Sequence, residues 1–404
     1  MNKEKIISVL DKIIEWAFYI LIAGVTFSNS FSDGPVAVII IGYLLKKIIK
    51  KDATFPRTSF LIAFAAFVAW NAISIFNSGY LYESLRGLLK VVKYGLLLTA
   101  TIDVFKEERP LKKAVSFLML WSIVVATNGI IQDWLGFDIL RFNVVDTLDY
   151  LPRISSSFPQ ANDFGTYLVL VIPVFLVFTF SKKINLRHRA YFLLGLLFLL
   201  YCIMRTYSRG AWLALLAATL MASFLKSRKL FVVLIIVVVI GSLFLPQQVK
   251  ARVMDIFNLN EGTSWQRLKL WSGAVNMIKQ HPVIGFGVNT YTKNFAKYKP
   301  ADYPDVIYSH NCYLQMATEI GIAGLLLFLL FIIMIFIYVI KRLKGMPHGW
   351  IRNSIIGLIS GGAGFLVHSG VDTSLYSIKL TLTFYLFLGL CAALSKYAKT
   401  NPAG

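Results

Sequence analysis

His310 is the residue of this chain best suited to proton transfer. It follows a polar stretch, residues 246–309, and together with Asn311 it precedes a long apolar segment. Imidazole readily accepts a proton near neutral pH, and the free N–H groups at the start of a helix favour anions. We therefore predict that His310 is a general base with Asn311 as a supporting residue. A histidine at such a boundary can also be structural.

Arginines form a second candidate group. Arg205 and Arg209 are four residues apart, so one continuous helix would place both on the same face. Arg267 lies in the polar stretch between Trp265 and Trp271. Guanidinium groups bind phosphate oxygens in pairs, and aromatic rings suit sugars and cations. This group predicts a diphosphate site. The alternatives are interfacial arginines and a solvated amphipathic helix around Arg267.

A third group consists of Arg86, Lys90 and Lys93, with Glu83 just before them. Spacings of four and three residues place the three cations on one helical face. Ionisable side chains at membrane depth are costly and usually mark function. We expect the cations either to line a polar cavity that opens outward or, equally, to extend along the helix to the membrane surface.

Glu319 is the acidic residue nearest to His310 within the following apolar segment. It lies nine residues further on, which is about 13 Å along a helix. A lone carboxylate at that depth is costly. We therefore expect Glu319 to have a basic partner, such as Arg205 or Arg209.

The elements that must position these residues are membrane helices. Of the 404 residues, 57% are hydrophobic and 15% charged, whereas a soluble domain carries roughly 25% charged residues. The class is therefore an all-α polytopic membrane protein, predicted to form one domain over residues 1–404. Cys202, Cys312 and Cys391 lie far apart, and no Cys/His spacing indicates a metal site.

Apolar runs long enough to cross a bilayer predict twelve helices. The large polar stretch 246–309 falls between the ninth and the tenth. The runs begin near Ile13, Pro35, Ser59, Ser84, Ala114, Phe164, Arg189, Arg209, Leu230, His310, Asn353 and Tyr376.

The distribution of positive charge predicts the orientation. Lys and Arg clusters follow the second, fourth, sixth, eighth and tenth predicted helices, whereas the short loops 28–34 and 77–83 contain no Lys or Arg. Positive loops face the cytoplasm. Both termini are then cytoplasmic, and residues 134–163 and 246–309 face outward. The net charge of +21 is spread over these clusters, which favours contacts with membrane lipids and not with nucleic acid.

Four motifs, taken in order, resemble the O-antigen ligase and polymerase superfamily. They are Arg-Ile-Ser-Ser-Ser-Phe-Pro-Gln-Ala-Asn-Asp-Phe-Gly at 153–165, Tyr-Ser-Arg-Gly-Ala-Trp-Leu-Ala-Leu at 207–215, His-Pro-Val-Ile-Gly-Phe-Gly-Val-Asn-Thr-Tyr at 281–291, and His-Asn-Cys-Tyr-Leu-Gln-Met-Ala-Thr-Glu-Ile-Gly-Ile-Ala-Gly at 310–324.

The resemblance implies a twelve-helix glycosyltransferase of the bacterial inner membrane, with residues 246–309 as a periplasmic loop over the active site. Such an enzyme moves a glycan from an undecaprenyl diphosphate donor to a hydroxyl of an acceptor, which for a ligase is lipid A-core. The reaction is inverting and metal-independent, and no cofactor is implied. Carried onto this chain, Arg209, Arg205 and Arg267 bind the diphosphate and His310 is essential.

Three other functions are alternatives to the ligase. A polymerase of the same superfamily would extend carrier-linked repeats, but polymerases often carry more than one sizeable outer loop, and here one loop dominates. A secondary transporter usually shows repeated halves, whereas the long polar stretch occurs once. A transferase that attaches glycans to protein usually has a longer chain. The sequence therefore favours an O-antigen ligase.

Overall fold

The computed structural model describes residues 3–52, 54–148, 151–244, 246–254, 262–299 and 308–401. Within these ranges the chain is almost entirely helical. The α-helices are α1 (Lys3–Gly24), α2 (Asn29–Lys50), α3 (Ser59–Ser74), α4 (Leu81–Val104), α5 (Glu108–Leu135), α6 (Ala161–Thr179), α7 (Leu186–Arg205), α8 (Arg209–Lys226), α9 (Arg228–Leu243), α10 (Gln247–Met254), α11 (Gly262–Gln280), α12 (Tyr291–Phe295), α13 (Cys312–Leu343), α14 (Trp350–Ser369) and α15 (Ile378–Thr400). Two short antiparallel strands, β1 (Asp146–Leu148) and β2 (Leu151–Arg153), precede α6, and 3-10 turns cover Ile75–Asn77 and Ser374–Tyr376.

Each of the twelve predicted apolar segments contains a helix. Among the described residues, seven helices are long and apolar enough to cross a membrane: α3 with its 3-10 turn, α5, α6, α7, α13, α14 and α15. An eighth results if α9 and α10, which meet at a sharp bend, form one broken span. The all-α polytopic membrane class is confirmed, and the count of twelve spans stays a prediction. The tenth predicted helix begins at Cys312, two residues after His310.

The centre of the bundle is formed by α6, α14 and α15, which are almost wholly buried. Helix α14 packs against α6, α8 and α15, while α3 packs against α13 and α4 against α15. Helix α9 lies at the other extreme, because it has no buried residue and exposes apolar side chains all round. Such a helix is suited to contact with lipid tails.

The polar stretch 246–309 folds onto the bundle. Its helices α11 and α12 share a small apolar core, and α11 packs against α13. The core residues are Leu270, Ala274, Met277, Tyr291 and Phe295, with Leu314 of α13 packed against them. Residues 255–261 and 300–307 of the predicted loop lie outside the described residues. The stretch is therefore a helical layer joined to the bundle, at least over the parts described.

Helix α13 is broken at Gly321, which has φ 70° and ψ 174°. The segment 282–287 fills the break with its own backbone. The Phe286 N–H donates to Thr318 O at 3.0 Å and the Gly287 N–H donates to Glu319 O at 2.8 Å. The Ile322 N–H on the far side of the break donates to Pro282 O at 2.8 Å. Backbone groups freed by the break are thus hydrogen-bonded within the protein, as membrane depth requires.

Two glycines make this close approach possible. A Cβ at Gly285 would lie 2.5 Å from the carbonyl group of Glu319, and a Cβ at Gly321 would overlap the carbonyl of Val283. Both residues also have positive φ, a conformation that glycine adopts without steric cost. The Gly-rich motif 281–291 is therefore a backbone clamp on α13.

Candidate functional site

Asp372 is the centre of the candidate site. It lies in the turn between α14 and α15 and accepts hydrogen bonds from several parts of the chain. His310 Nδ1 lies 3.1 Å from Asp372 Oδ1, and Asn162 Nδ2 donates to Asp372 Oδ2 at 2.7 Å. Arg267 Nη2 lies 3.8 Å from the same Oδ2. One carboxylate thus brings together the predicted base and one predicted diphosphate-binding arginine.

The surroundings of Asp372 keep it ionised. Burial alone would raise its pKa, but the hydrogen bond from His310 and the positive charge around it, Arg267 included, hold the pKa of Asp372 well below its usual range. The side chain of Asp372 is 9% exposed and that of His310 is 41% exposed. With Nδ1–H donating to the carboxylate, the other ring nitrogen of His310 is left to accept a proton.

The turn before α13 fixes the position of His310. Asn311 caps the helix, because its Oδ1 accepts from the N–H groups of Tyr313 at 3.0 Å and Leu314 at 3.1 Å. His310 itself has φ 51°, an unusual value for a residue that is not glycine. Asn311 is thus a positioning residue, and the predicted supporting role fits the cap.

Cys312 links this turn to the one that carries Asp372. Its thiol donates to Asp372 O at 3.1 Å, and the Leu375 N–H lies 3.3 Å from Cys312 Sγ. The cysteine is fully buried. The first turn of α13 and the turn between α14 and α15 are therefore held together beside the His310–Asp372 pair.

Arg209 approaches the same group from the start of α8. Ser208 caps that helix through its hydroxyl, and Arg209 Nη2 donates to Ser264 Oγ at 3.3 Å. Ser264 and Arg267 are three residues apart on α11, so they occupy the same side of that helix. The structure thus brings Arg209, Arg267 and His310 into one region.

Two further arginines belong to this region and were missed from the sequence. Arg153 Nη2 donates to Asn162 Oδ1 at 2.7 Å and its Nε donates to Thr206 O at 2.7 Å. Burial, and then the charges of Arg252 and Arg267, lower the pKa of Arg153. Arg252, on α10, is itself buried. The region carries a concentration of positive charge that suits a polyanion.

Arg205 lies elsewhere. Arg205 and Arg209 do not share one face of a continuous helix, because α7 ends at Arg205 and α8 begins at Arg209, the predicted start of the eighth helix. Tyr207, between them, has a φ of 47°. The Arg205 guanidinium forms a two-point ion pair with Asp133, at 2.6 and 2.8 Å. The structure does not bring Arg205 to Asp372.

Glu319 also differs from expectation. It pairs with neither Arg205 nor Arg209. Its carboxylate accepts from the N–H groups of Asn289 at 2.9 Å and Tyr291 at 3.3 Å and from the Tyr376 hydroxyl at 3.2 Å. The backbone clamp on α13 therefore takes the place of the expected cation.

The remaining predicted residues fall outside the Asp372 group, by which we mean Asp372 with His310, Asn162 and Arg267. Arg86 and Lys90 line a cavity of about 430 Å³ that also contains Glu319. Lys93 instead donates to Asp33 at 2.7 Å. Trp265 is partly exposed, and Lys269 Nζ lies 4.3 Å from the centre of its ring. Of the three cations predicted to share one face of α4, Arg86 and Lys90 thus line the cavity, whereas Lys93 forms an ion pair.

The sequence held a partial signal for the missed residues. Arg153 and Asn162 both lie in the motif 153–165, but neither was assigned a role. Asp372 is an acidic residue in a short connection between two apolar segments, 62 residues from its histidine partner. Within the described ranges no group of three or more His, Cys, Asp or Glu residues is arranged to hold a metal ion.

Backbone conformation sets the four motifs apart. Six described residues other than glycine have positive φ, and four of these lie in the motifs. Those four are Ser156, Tyr207, Asn289 and His310. Such conformations cost about 1–3 kcal/mol each and concentrate at functional sites. Each motif therefore contains a turn that its surroundings must hold in place.

Comparison with curated proteins gave no match. A protein-family model described as O-antigen ligase matches residues 194–329, about a third of the chain. The matched stretch begins within α7, includes Arg209, Arg267 and His310, and ends within α13. The resemblance to the O-antigen ligase superfamily, which the four motifs predicted, is thereby confirmed for residues 194–329.

Proposed function

We propose that the protein is an O-antigen ligase that transfers a glycan from undecaprenyl diphosphate to a hydroxyl of lipid A-core. The family match supports an O-antigen ligase or polymerase-type activity. The observation that carries the finer proposal is the His310–Asp372 pair, with its 3.1 Å separation, set among Arg209, Arg267 and Arg153. A base and a group of phosphate-binding cations are what this transfer requires.

His310 is the base in the proposed reaction. Its free ring nitrogen takes the proton of the acceptor hydroxyl as the hydroxyl oxygen bonds to the anomeric carbon of the donor sugar. The bond from that carbon to the diphosphate oxygen breaks, and the diphosphate leaves with the bonding electrons. Attack opposite the leaving group inverts the anomeric centre. Ionised Asp372 stabilises the imidazolium that forms.

The arginines act on the leaving group. Charge accumulates on the diphosphate as the glycosidic bond breaks, and fixed guanidinium groups stabilise that charge. Arg267 and Arg209 are the proposed ligands, with Arg153 and Arg252 adding to the field. We propose that these arginines stabilise the charge that a metal ion would otherwise stabilise, so the reaction is metal-independent.

The proposed orientation places the site at the periplasmic face of the bacterial inner membrane. At the end of the helices opposite Asp372, basic side chains surround a second cavity of about 680 Å³. They include Lys112, Lys341, Arg342, Arg352 and Lys399. Positive charge marks the cytoplasmic side, which supports a periplasmic Asp372 group, an outward-facing stretch 246–309 and two cytoplasmic termini.

A polymerase would use the same donor and the same base, so the two activities differ in the acceptor alone. Purified protein is given undecaprenyl diphosphate-linked glycan, lipid A-core and EDTA. We expect glycan-modified lipid A-core from the wild-type protein. Lengthening of the carrier-linked glycan in its place would make the protein a polymerase, and neither product from folded protein would refute both.

The same assay tests the assigned residues. His310→Ala and Arg209→Ala should each remove most of the transfer, because one lacks the base and the other a diphosphate ligand. The matched control is Arg189→Ala, which changes an arginine near the start of α7, at the end of that helix opposite Arg205. Arg189 donates to Thr179 O at 3.0 Å and lies away from Asp372, so its loss should leave transfer near the wild-type rate. Full activity in the first two variants would refute the mechanism.

A further inference from the structure

The cavity of about 430 Å³ that is lined by Arg86, Lys90 and Glu319 opens near Asp372 and has no role in the mechanism above. It lies between α4, the segment 288–293, the first half of α13 and the 3-10 turn Ser374–Tyr376. The rings of Tyr308 and Tyr376, whose centres are 6.5 Å apart, form part of its wall. Tyr308 precedes His310 by two residues and Tyr376 follows Asp372 by four. The cavity and the base are therefore neighbours.

Two cations face this cavity without a carboxylate partner. Arg86 contacts the ring of Tyr82 at 5.5 Å, and Lys90 Nζ donates to Asn289 Oδ1 at 3.3 Å. Neither forms an ion pair within the described ranges of the chain. The two lie four residues apart on α4, where like charges repel. An anion between them would relieve that repulsion.

The acidic residues of the cavity are already engaged. Glu83 Oε1 lies 3.6 Å from Lys293 Nζ. Glu319 is held by two backbone N–H groups and the Tyr376 hydroxyl. Lys93, one turn further along α4, has its own partner in Asp33. Three cations (Arg86, Lys90 and Lys293) and two carboxylates (Glu83 and Glu319) line the cavity, which therefore keeps an excess of positive charge for a ligand.

Aromatic side chains complete the lining. Tyr94 and Tyr385 stack with ring centres 5.4 Å apart, and Tyr308 and Tyr376 stand on the side of the base. Tyrosine offers an apolar face and a polar hydroxyl, which suits a sugar. Cations together with tyrosine rings indicate a ligand that is both a sugar and an anion.

We infer that this cavity binds the acceptor through a phosphate, or an equivalent anionic group, carried by its sugar near the accepting hydroxyl. The inference rests on the proposed function. An inverting displacement places the acceptor hydroxyl and the leaving diphosphate on opposite faces of the anomeric carbon, so the two substrates need separate binding regions. Arg267 and Arg209 serve the donor side, and Arg86 and Lys90 serve the acceptor side.

The test compares two acceptors, lipid A-core with and without its core sugar phosphates, in the transfer assay. Arg86→Gln and Lys90→Gln should each raise the KM for the phosphorylated acceptor about 10-fold or more, the effect of losing a hydrogen bond to a charged group. Their kcat and donor KM should stay near wild-type values. The KM of the wild-type protein should rise by a similar factor when the acceptor lacks its phosphates. On that dephosphorylated acceptor the KM of the two variants should be no higher than that of the wild-type protein.

Matched variants separate this outcome from misfolding. Lys93→Gln removes a charge from the same helix but not from the cavity, so its acceptor KM should be unchanged. Arg86→Lys should recover part of the lost affinity. Equal losses on both acceptors, or a raised donor KM alone, would refute the inference. So would a new dependence on phosphatidylglycerol in the assay vesicles with an unchanged acceptor KM, since the anion would then be a lipid headgroup.

Failure of the inference differs from failure of the proposed function. If the wild-type protein modifies neither acceptor, the proposed function is wrong, and the inference falls with it. If the wild-type protein transfers glycan and prefers neither acceptor, the ligase function stands and the cavity has no role in recognising a phosphate.

Discussion

Asp133 and Asp372 are both carboxylates near an arginine, yet they are held in different ways. Asp133 is matched by Arg205 at two points, at 2.6 and 2.8 Å, and also accepts from the Tyr201 hydroxyl. Asp372 is shared between Asn162, His310 and, at 3.8 Å, Arg267. In the first pair, both carboxylate oxygens of Asp133 accept hydrogen bonds from Arg205. In the second, Asp372 binds one ring nitrogen of His310 and lies 3.8 Å from Arg267, so both partners keep nitrogen atoms for other contacts.

The number of contacts that a carboxylate makes with its cation separates a structural ion pair from a functional one. A two-point pair uses both carboxylate oxygens and fixes the guanidinium, so little remains for a ligand. A carboxylate that holds a half-exposed histidine by one nitrogen leaves the other nitrogen available. By this criterion Asp133–Arg205 is a structural pair that joins α5 to α7, and Asp372–His310 is the pair to which we assign the proposed chemistry.

The largest effect should come from breaking the second pair. His310→Ala should lower single-turnover transfer about 10³-fold and Asp372→Asn on the order of 10²-fold, since the first removes the base and the second only its stabilising charge. Asp133→Asn is the control and should transfer within about twofold of the wild-type rate once folded. Full transfer by Asp372→Asn would remove the functional distinction between the two carboxylates.

A smaller and opposite effect is expected at the first pair. Arg205→Gln should lower the melting temperature in detergent, because it leaves Asp133, which is 6% exposed, without its ion partner. We expect a loss of about 1–3 kcal/mol in the free energy of unfolding, with transfer by the folded fraction little changed. Loss of transfer at unchanged stability would instead support the diphosphate role first predicted for Arg205.

The smallest effect concerns pH. Since the folded-state pKa of Asp372 lies below the unfolded value of 3.8, its ionised form stabilises the fold at pH values above 3.8. That contribution should begin to fall once the pH drops below 3.8 and decline further toward the lowered folded value. Melting temperatures of wild type and Asp372→Asn, measured from about pH 7 to about pH 3, should therefore converge toward acid. A constant difference would contradict the lowered pKa.

Much of the helical framework could be predicted from the sequence, because long apolar runs need only local information. Each of the twelve runs contains a helix, and caps such as Ser208 and Asn311 are visible as polar residues before apolar ones. The family resemblance was likewise within reach, since its motifs are contiguous. Orientation and the number of true spans depend on the membrane, so they stay predictions.

The candidate site was harder to predict, because its contacts are distant in sequence. Local spacing suggested that Arg205 and Arg209 act together, but the backbone at Tyr207 separates them. Asp372 and Asn162, 210 residues apart, gave no local pattern that would pair them. The partners of Glu319 are backbone groups, which carry no signature in the side chains. Sequence reasoning singled out Arg209, Arg267 and His310 but not the carboxylate of Asp372, which lies between the last two.

The break at Gly321 ties the biogenesis of the membrane helix to that of the site. Just before the break, Thr318 O and Glu319 O accept hydrogen bonds from the N–H groups of Phe286 and Gly287, whose segment precedes the helix in the chain. Unsatisfied backbone groups are costly in a bilayer. The first part of α13 therefore reaches its final hydrogen-bonded state only once the segment 282–287 has docked on it. A chain in which this segment failed to dock would lose the three backbone hydrogen bonds that bridge the break in α13.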